Sequence, residues 1–478
     1  MLFPLLQVAI LAASLTFAPH TITLPDGKTV SAELGYLTVL ERRSDPESRP
    51  IQLAVLRLRA TEPGANAPIV FLPGSPDGAS GSETVGIASL YPFFDELRKK
   101  GDVIILDYRG SGLSRPAVTC PNEPYRTGTF ANRESALSSL VGAGRRCAAS
   151  LREAGFDIAG YTWSEVAEDI FDLRKALGVP RISIVGFSSG THAALAFLRH
   201  HDREVSRLVL IGTEGPDNSQ KLPSNIDRQM KGISALVRGD PALSNSIPDF
   251  ETLVRSTIDS LNRTPAIVTV TRDRGGETLQ EPVGGLALAY LTAKSISGPE
   301  DFAMLPSLYY RIARGDLSLL TRIIQRLVSS SGNSGRRQLG YMLDGSSGVS
   351  PQRAARIAAE SKKAVLGDAV NFPYPQIRDA WGNIDSGPRF REPIKSSVHT
   401  LFVTGELDGN TPPQQADEIR SGFRNAGRLT ISNGGHGSAF TTSAAWPVIL
   451  SFLGGDKIRD ETITAPRVRF LPLLTPAR

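Results

Sequence analysis

The stretch Gly186-Phe187-Ser188-Ser189-Gly190 lies between an apolar segment and a helical one. Residues 181–185 (Arg-Ile-Ser-Ile-Val) are typical of a buried strand, and residues 191–198 (Thr-His-Ala-Ala-Leu-Ala-Phe-Leu) are typical of a helix. Glycines around the serine permit a turn tight enough to push its hydroxyl off a sheet edge, with strained φ and ψ angles at the tip. Strand, G-x-S-x-G and helix in this order predict that Ser188 is a nucleophile rather than part of an ordinary Gly/Ser turn.

The composition is that of an ordinary globular protein. The chain has 478 residues, 40% of them hydrophobic and 21% charged, with a formal net charge of +5. This length is too great for one simple core, so we expect one large domain with an insertion, or two domains. The basic residues are scattered, and their densest run is Arg98-Lys99-Lys100. Such dispersion indicates a solvated surface, so we predict no nucleic-acid partner.

The N-terminal segment is apolar. Residues 2–18 carry no charged side chain, and small residues at Thr16 and Ala18 fit a signal-peptidase site. A basic segment ahead of the apolar run is missing, and the length is just enough for an uncleaved membrane anchor. Of these two interpretations, we favour the one in which residues 1–18 are a cleaved signal peptide. The protein is then expected to be exported and to have no membrane association after cleavage.

The chain has two cysteines, Cys120 and Cys147. In an exported protein, two cysteines close in sequence indicate one disulfide; two buried free thiols are the alternative. A metal site is not expected, because there is no Cys-x-x-Cys and the six histidines include no pair at ligand spacing except His200-His201. We expect no cofactor.

Apolar runs and helical patterns alternate along two parts of the chain. Runs typical of buried strands occupy residues 67–72, 102–106, 205–211 and 400–404, and residues 133–153 have helical spacing. Between Asp217 and about Phe390 this alternation stops and helical patterns take over. The pattern predicts an α/β fold: a mostly parallel central sheet with helices on both faces, and an inserted helical lid over its carboxyl edge. The predicted segments are a signal peptide (1–18), the first part of the core (19–216), the lid (217–390) and the second part of the core (391–478).

A serine hydroxyl is a weak nucleophile until a base takes its proton, and the base needs a third group to fix its tautomer. His436 follows the last predicted core strand in a glycine-rich loop, so we assign it as the base. His192, one helical turn after Ser188, is interpreted as a packing residue. Asp408, in a turn after the strand at 400–404, is the first choice for the acid, and Glu214 is its rival.

An oxyanion hole needs two backbone N–H groups aimed at the developing negative charge. One should come from Ser189, the residue after the nucleophile. The other should come from the loop after the strand at 67–72, at Ser75. Asp77 in the same loop is a candidate to hold a substrate ammonium, but we favour a turn-forming role before Gly78.

These segments together resemble the prolyl and tripeptidyl aminopeptidase branch of the α/β-hydrolases. The resemblance rests on five segments. They are the turn Gly186-Phe187-Ser188-Ser189-Gly190, here called the elbow, the Gly/Pro-rich loop at 73–81, Asp107-Tyr108-Arg109-Gly110-Ser111-Gly112-Leu113-Ser114, Gly405-Glu406-Leu407-Asp408-Gly409-Asn410-Thr411-Pro412-Pro413 and Gly434-Gly435-His436-Gly437. It implies the α/β-hydrolase fold, and it also implies that Asp408 is the acid. The family loop normally reads Gly-Gly-Pro-Gly, whereas this chain has Gly74-Ser75-Pro76-Asp77. The resemblance also implies lid carboxylates for a free N-terminus. Glu300 and Asp301 are candidates, and a solvated helix N-terminus is the alternative interpretation of this pair.

The predicted function is that of a serine hydrolase that forms an acyl-enzyme and releases residues or short peptides from free N-termini. Its expected partner is a short peptide or another small molecule. A carboxylesterase or amidase acting on small acyl substrates is the alternative within the enzyme class. A binding module without catalysis is the alternative outside it, and triad candidates at three expected strand ends disfavour that reading.

Overall fold

The computed structural model describes residues 15–62, 66–74, 84–121, 123, 125–272, 276–329, 334–457 and 459–473. Its strands are β1 (Phe17–Thr23), β2 (Thr29–Leu40), β3 (Pro50–Leu58), β4 (Ile69–Leu72), β5 (Val103–Leu106), β6 (Ile182–Phe187), β7 (Val205–Ile211), β8 (Ala266–Thr271), β9 (Thr278–Val283), β10 (Thr400–Gly405), β11 (Ala426–Ser432) and β12 (Glu461–Thr464).

The α-helices of the core and of the insertion are numbered in chain order as well. They are α1 (Thr84–Leu97), α2 (Arg133–Glu153), α3 (Trp163–Ala176), α4 (Ser189–His201), α5 (Pro223–Gly239), α6 (Phe250–Arg263), α7 (Gly285–Ser295), α8 (Pro299–Phe302), α9 (Leu305–Ile312), α10 (Ser318–Ser329), α11 (Ser334–Ser347), α12 (Pro351–Ser361), α13 (Pro413–Arg420), α14 (Ser438–Thr441) and α15 (Ala445–Leu453).

Within the described residues, ten strands form the main sheet in the order β1-β2-β3-β5-β4-β6-β7-β10-β11-β12. The pairs from β1 to β5 by way of β2 and β3 are antiparallel, and all pairs from β5 to β12 are parallel. β4 (IVFL) and β5 (VIIL) are buried at every position, as expected of strands covered on both faces. The predicted fold class is therefore confirmed.

Successive side chains of the central strands point to opposite faces and pack into two hydrophobic clusters. Val70 and Ile184 face α3 and α4, whereas Phe71 and Val185 face α1 and α15. This two-sided burial holds the sheet in the middle of the core. Because the strands from β5 to β12 run parallel, their carboxyl ends lie at one edge of the sheet.

The insertion between β7 and β10 is helical, as the sequence predicts, but it also contains an antiparallel hairpin, β8–β9. The hairpin buries one face, including Val268 and Val270, in the hydrophobic core of the insertion, and leaves Ile267 exposed. The sequence analysis missed this hairpin, because the alternation of buried and exposed residues in β8 extends over only six residues within a mostly helical region.

The N-terminal strand β1 begins at Phe17, inside the segment predicted as a signal peptide. The Phe17 ring lies 3.9 Å from the Arg57 guanidinium carbon, and the strand pairs with β2 from Phe17 to Thr23. A leader ending at Ala18 would remove the first two residues of this strand. Residues 1–14 lie outside the described residues, and the leader stays a prediction.

Cys120 and Cys147 form a disulfide, with their Cα atoms 4.8 Å apart. It ties the loop after β5 to the middle of α2. Arg109 fixes the start of that loop: it is fully buried, its Nε and Nη2 donate to Asp169, and its Nη1 donates to the carbonyls of Glu41 and Gly160. Among the described residues, no helix is long and apolar enough to cross a bilayer, and no cluster of side chains could hold a metal ion.

Candidate active site

Ser188 lies at the sharp turn between β6 and α4, with φ 53° and ψ −123°. A non-glycine residue rarely adopts a positive φ, and such strain concentrates at functional sites. The turn depends on Gly190, because a Cβ there would overlap the Leu72 carbonyl. The Ser188 N–H donates to the Ile211 carbonyl at 2.9 Å, which anchors the turn to the end of β7.

The catalytic candidates His436 and Asp408 are in direct contact. His436 Nδ1 lies 2.9 Å from Asp408 Oδ2, and Asp408 is 1% exposed. With Nδ1–H donating to the carboxylate, Nε2 is left without its proton and can act as a base. The pairing follows from topology, because the two residues lie in the loops after the adjacent parallel strands β10 and β11.

Four hydrogen bonds hold the Asp408 carboxylate. Its Oδ1 accepts from the N–H groups of Asn410 and Thr411, each at 2.8 Å. Its Oδ2 accepts from Thr411 Oγ1 at 2.6 Å as well as from His436. Thr411 Oγ1 also lies 3.1 Å from His436 Nδ1, so this hydroxyl is within reach of both partners. Sequence reasoning missed Thr411; its place three residues after the candidate acid in a turn was the available signal.

The loop after β11, which carries His436, and the turn of Ser188 meet at the carboxyl edge of the sheet. The rings of His436 and Phe187, the residue before Ser188, have centroids 4.8 Å apart. Gly212, which follows the carbonyl that anchors the elbow, packs so closely that a Cβ would lie 2.9 Å from His436 Cε1. Gly74 packs equally closely on Ser188, since a Cβ on it would lie 2.9 Å from Ser188 Cβ. These contacts leave Ser188 only 8% exposed.

Glu214, the rival acid, is engaged elsewhere. Its carboxylate accepts from Lys221 Nζ at 2.8 Å, and both side chains are mostly buried. Burial raises the pKa of Glu214, but the Lys221 ammonium, helped by His192 and His436, more than offsets this and holds that pKa below its usual range.

His192 is fully enclosed, as expected of a packing residue. Its Nδ1 donates to the Gly215 carbonyl at 2.9 Å, and its Nε2 accepts from Ser347 Oγ at 2.8 Å, a tautomer assigned from the partners. Burial lowers the pKa of His192, so the ring is neutral near pH 7.

Of the two predicted oxyanion donors, Ser189 is the first residue of α4, where the helix leaves its N–H groups free of intrahelical partners. Ser75 and Asp77 lie outside the described residues. Glu300 and Asp301 lie exposed at the start of α8, and Asp301 accepts from Ser297 Oγ at 2.8 Å. The segment before them touches the site directly, because the His436 N–H donates to the Ser297 carbonyl at 2.8 Å. Sequence reasoning missed this backbone contact.

Two segments of the chain match protein families. Residues 67–253 match the alpha/beta hydrolase fold family, and residues 378–460 match the family described as TAP-like protein. The fold is that of the α/β-hydrolases. The first matched segment includes the turn of Ser188, and the second includes the loops of Asp408 and His436, so the predicted resemblance to this fold family and to its TAP-like members is confirmed.

Curated proteins with similar sequences carry peptidase names. The chain is 27% identical over 225 residues to serine protease Hip1 of Mycobacterium tuberculosis, covering 44% of this chain and 40% of that protein. It is 24% identical over 195 residues to tripeptidyl aminopeptidase of Streptomyces coelicolor, covering 39% of this chain and 36% of that protein. The chain thus spans about 40% or less of the length of these relatives.

Proposed function

We propose that this hydrolase uses Ser188, His436 and Asp408 as a catalytic triad and acts as an aminopeptidase on peptides with free N-termini. The observation that carries the triad is the 2.9 Å contact between His436 Nδ1 and Asp408 Oδ2, in loops that converge on the strained turn of Ser188. The observation that supports the substrate is the pair of curated relatives, a serine protease and a tripeptidyl aminopeptidase.

In the proposed reaction, His436 Nε2 takes the proton of the Ser188 hydroxyl while Ser188 Oγ attacks the scissile carbonyl carbon. The carbonyl oxygen becomes an oxyanion, for which we propose the N–H groups of Ser189 and Ser75 as donors. The imidazolium then gives its proton to the leaving amine as the C–N bond breaks. Water, deprotonated by His436, hydrolyses the acyl-enzyme and releases the N-terminal fragment as an acid. Asp408 remains ionised and stabilises the imidazolium in both steps.

The proposed preference for a free N-terminus needs a carboxylate near the reacting carbonyl. Glu300 and Asp301 are the candidates in the described residues, because they follow the segment that binds the His436 backbone. Asp77 is a further candidate from the sequence. A lid over the carboxyl edge would admit a short chain end and exclude a folded protein.

The experiment compares a peptide amide that has a free N-terminal amine with its N-acetylated twin. Acetylation leaves the recognising carboxylate without its charge partner, which should cost about 2–5 kcal/mol of transition-state binding, or about 1.5 to 3.5 decades in kcat/KM. A Ser188→Ala variant is the matched control for contaminating peptidases. Equal kcat/KM for the two peptides, with fast hydrolysis of simple esters, would replace the aminopeptidase by an esterase or amidase. No turnover of any substrate class would favour a binding module.

We also propose that the protein is exported. The Cys120–Cys147 disulfide is of a kind that persists in oxidising compartments. Fractionation of cells that produce the full chain, with N-terminal sequencing of the exported form, tests both export and the position of leader cleavage. Recovery of the protein with reduced thiols in the cytoplasmic fraction would contradict the proposal.

A further inference from the structure

One edge of the inserted lid contacts the loops of the acid and the base through its backbone. This lid edge, residues 296–303, joins α7 to α9 and includes α8. The Ile296 carbonyl accepts from the N–H of Gly409, the residue after Asp408, at 2.8 Å. The Ser297 carbonyl accepts from the N–H of His436 itself at 2.8 Å. Two consecutive carbonyls of this edge therefore bind the loops of the proposed acid and base, in addition to the bond that the core supplies between these loops, from the Leu407 N–H to the Gly434 carbonyl.

Two glycines of the core make this close approach possible. A Cβ on Gly435 would overlap Gly298 Cα and lie 2.7 Å from the Ser297 carbonyl oxygen. A Cβ on Gly409 would lie 2.6 Å from Ile296 Cγ1. Ordinary carbon contacts begin near 3.4 Å, so a side chain at either glycine would push the lid edge away by roughly 1 Å.

The C-terminal segment clamps the same edge from its other side. This C-terminal strap, residues 466–473, leaves β12 and crosses onto the lid. The Leu471 N–H donates to the Ala303 carbonyl at 3.0 Å, and Ser307 Oγ donates to the Pro472 carbonyl at 3.1 Å. The Phe470 ring packs 6.3 Å from the Phe302 ring, centroid to centroid, at the border of the lid core.

We propose that the lid edge is a positioning element for Asp408 and His436, and that the strap keeps it docked. The proposal rests on the proposed triad. When the edge is docked, the two loops are held so that His436 Nδ1 lies 2.9 Å from Asp408 Oδ2. When it is undocked, the His436 N–H loses its partner and the imidazole is free to shift. In this proposal the insertion completes the catalytic geometry through its backbone.

The test compares Gly435→Ala with Gly437→Ala in the full chain. Gly437 lies in the same loop at φ −94°, and a Cβ there meets nothing within 4 Å, so it controls for loop stiffening. We expect Gly435→Ala to lower kcat by about 10²-fold, the effect of a displacement near 1 Å, with KM matching that of the control. Because the added Cβ meets backbone atoms, its unfolding midpoint should lie below that of the control, and the assay is run below both midpoints. Equal kcat for the two variants, or a rise in KM alone, would overturn the positioning role.

Phe470→Ala tests the strap at a position remote from the loops of the acid and base, and it carries the experiment if Gly435→Ala does not fold. Loosening the edge should lower kcat by about threefold or more, with little change in KM. A kcat equal to wild type would overturn the role of the strap. Ser188→Ala separates this inference from the triad: wild-type turnover in that variant would refute the triad. Serine-dependent turnover that ignores the lid variants would refute the positioning element alone.

Discussion

Replacing Thr411 by valine would remove one hydroxyl from the centre of the proposed triad at almost constant volume. Thr411 is 2% exposed, and its Oγ1 donates to Asp408 Oδ2 at 2.6 Å. The variant keeps the two backbone N–H donors to Oδ1, so the carboxylate stays attached to its turn. It loses the side-chain donor that, together with His436, fixes the orientation of Oδ2.

A hydrogen bond to a charged group contributes about 1.5–3 kcal/mol. Only the part that grows as His436 becomes charged in the transition state counts toward kcat. We therefore expect Thr411→Val to lower kcat by about tenfold, equivalent to about 1.4 kcal/mol. Asp408→Asn should cost about 10⁴-fold, because the amide favours the wrong tautomer of the histidine.

Thr411→Ser is the matched control, because it keeps the hydroxyl and removes only a methyl group. The assay is steady-state turnover of one peptide amide by the three variants and the wild-type enzyme, with unfolding midpoints measured in parallel. The reasoning fails if Thr411→Val turns over like Thr411→Ser while Asp408→Asn is inactive. The hydroxyl would then be a structural partner of the turn and nothing more.

Three further predictions concern the nucleophile, the disulfide and a buried histidine. Ser188→Ala should abolish turnover and leave the unfolding midpoint unchanged, and wild-type rates on every substrate would remove the serine mechanism. Replacing Cys120 and Cys147 by serine should lower the free energy of unfolding by about 3–4 kcal/mol, because the bond closes a loop with a sequence separation of 27. Rapid alkylation of both cysteines in the native, unreduced protein would contradict the disulfide. Burial lowers the pKa of His192 below 6.5, so the unfolded chain binds more protons below that pH, and stability should fall from pH 7 to pH 5. His192→Gln should reduce that slope, measured as unfolding free energy against pH, and an unchanged slope would exclude His192 as its source.

Much of the core was predictable because its elements bury strong periodic patterns. The predicted strand at Val205–Ile211 and the predicted helix at Arg133–Glu153 match the structure to the residue. The helix start is marked by Asn132, whose side chain caps Ser135 N–H. β1 was missed because the predicted leader takes its first two residues, and Pro19 interrupts the pattern of the rest. β12 was missed because four residues, none of them buried, give no usable period.

The candidate site was predictable where chemistry restricts the residue type, and hidden where geometry alone decides. A base must be a side chain such as His436, and chain order points to its loop. The carbonyl of Ser297 is different, because every residue has one and the contact depends only on where the lid edge lies. The close glycines at 409 and 435 carry part of that information, but a glycine signals close approach without naming the partner.

The choice between Asp408 and Glu214 shows the same limit. Both follow neighbouring parallel strands, so both side chains reach the carboxyl edge of the sheet near the elbow. What separates them is the partner each carboxylate finds. Lys221, a residue of the insertion, neutralises Glu214 at 2.8 Å, so that carboxylate is already committed to a charge partner. Asp408 is bound by neutral donors and His436, so its charge remains available to stabilise an imidazolium as it forms. Among the residues that the structure describes, no Lys or Arg is bonded to the Asp408 carboxylate, so Asp408 can serve as the acid of a triad, and this physical difference supports choosing it over Glu214.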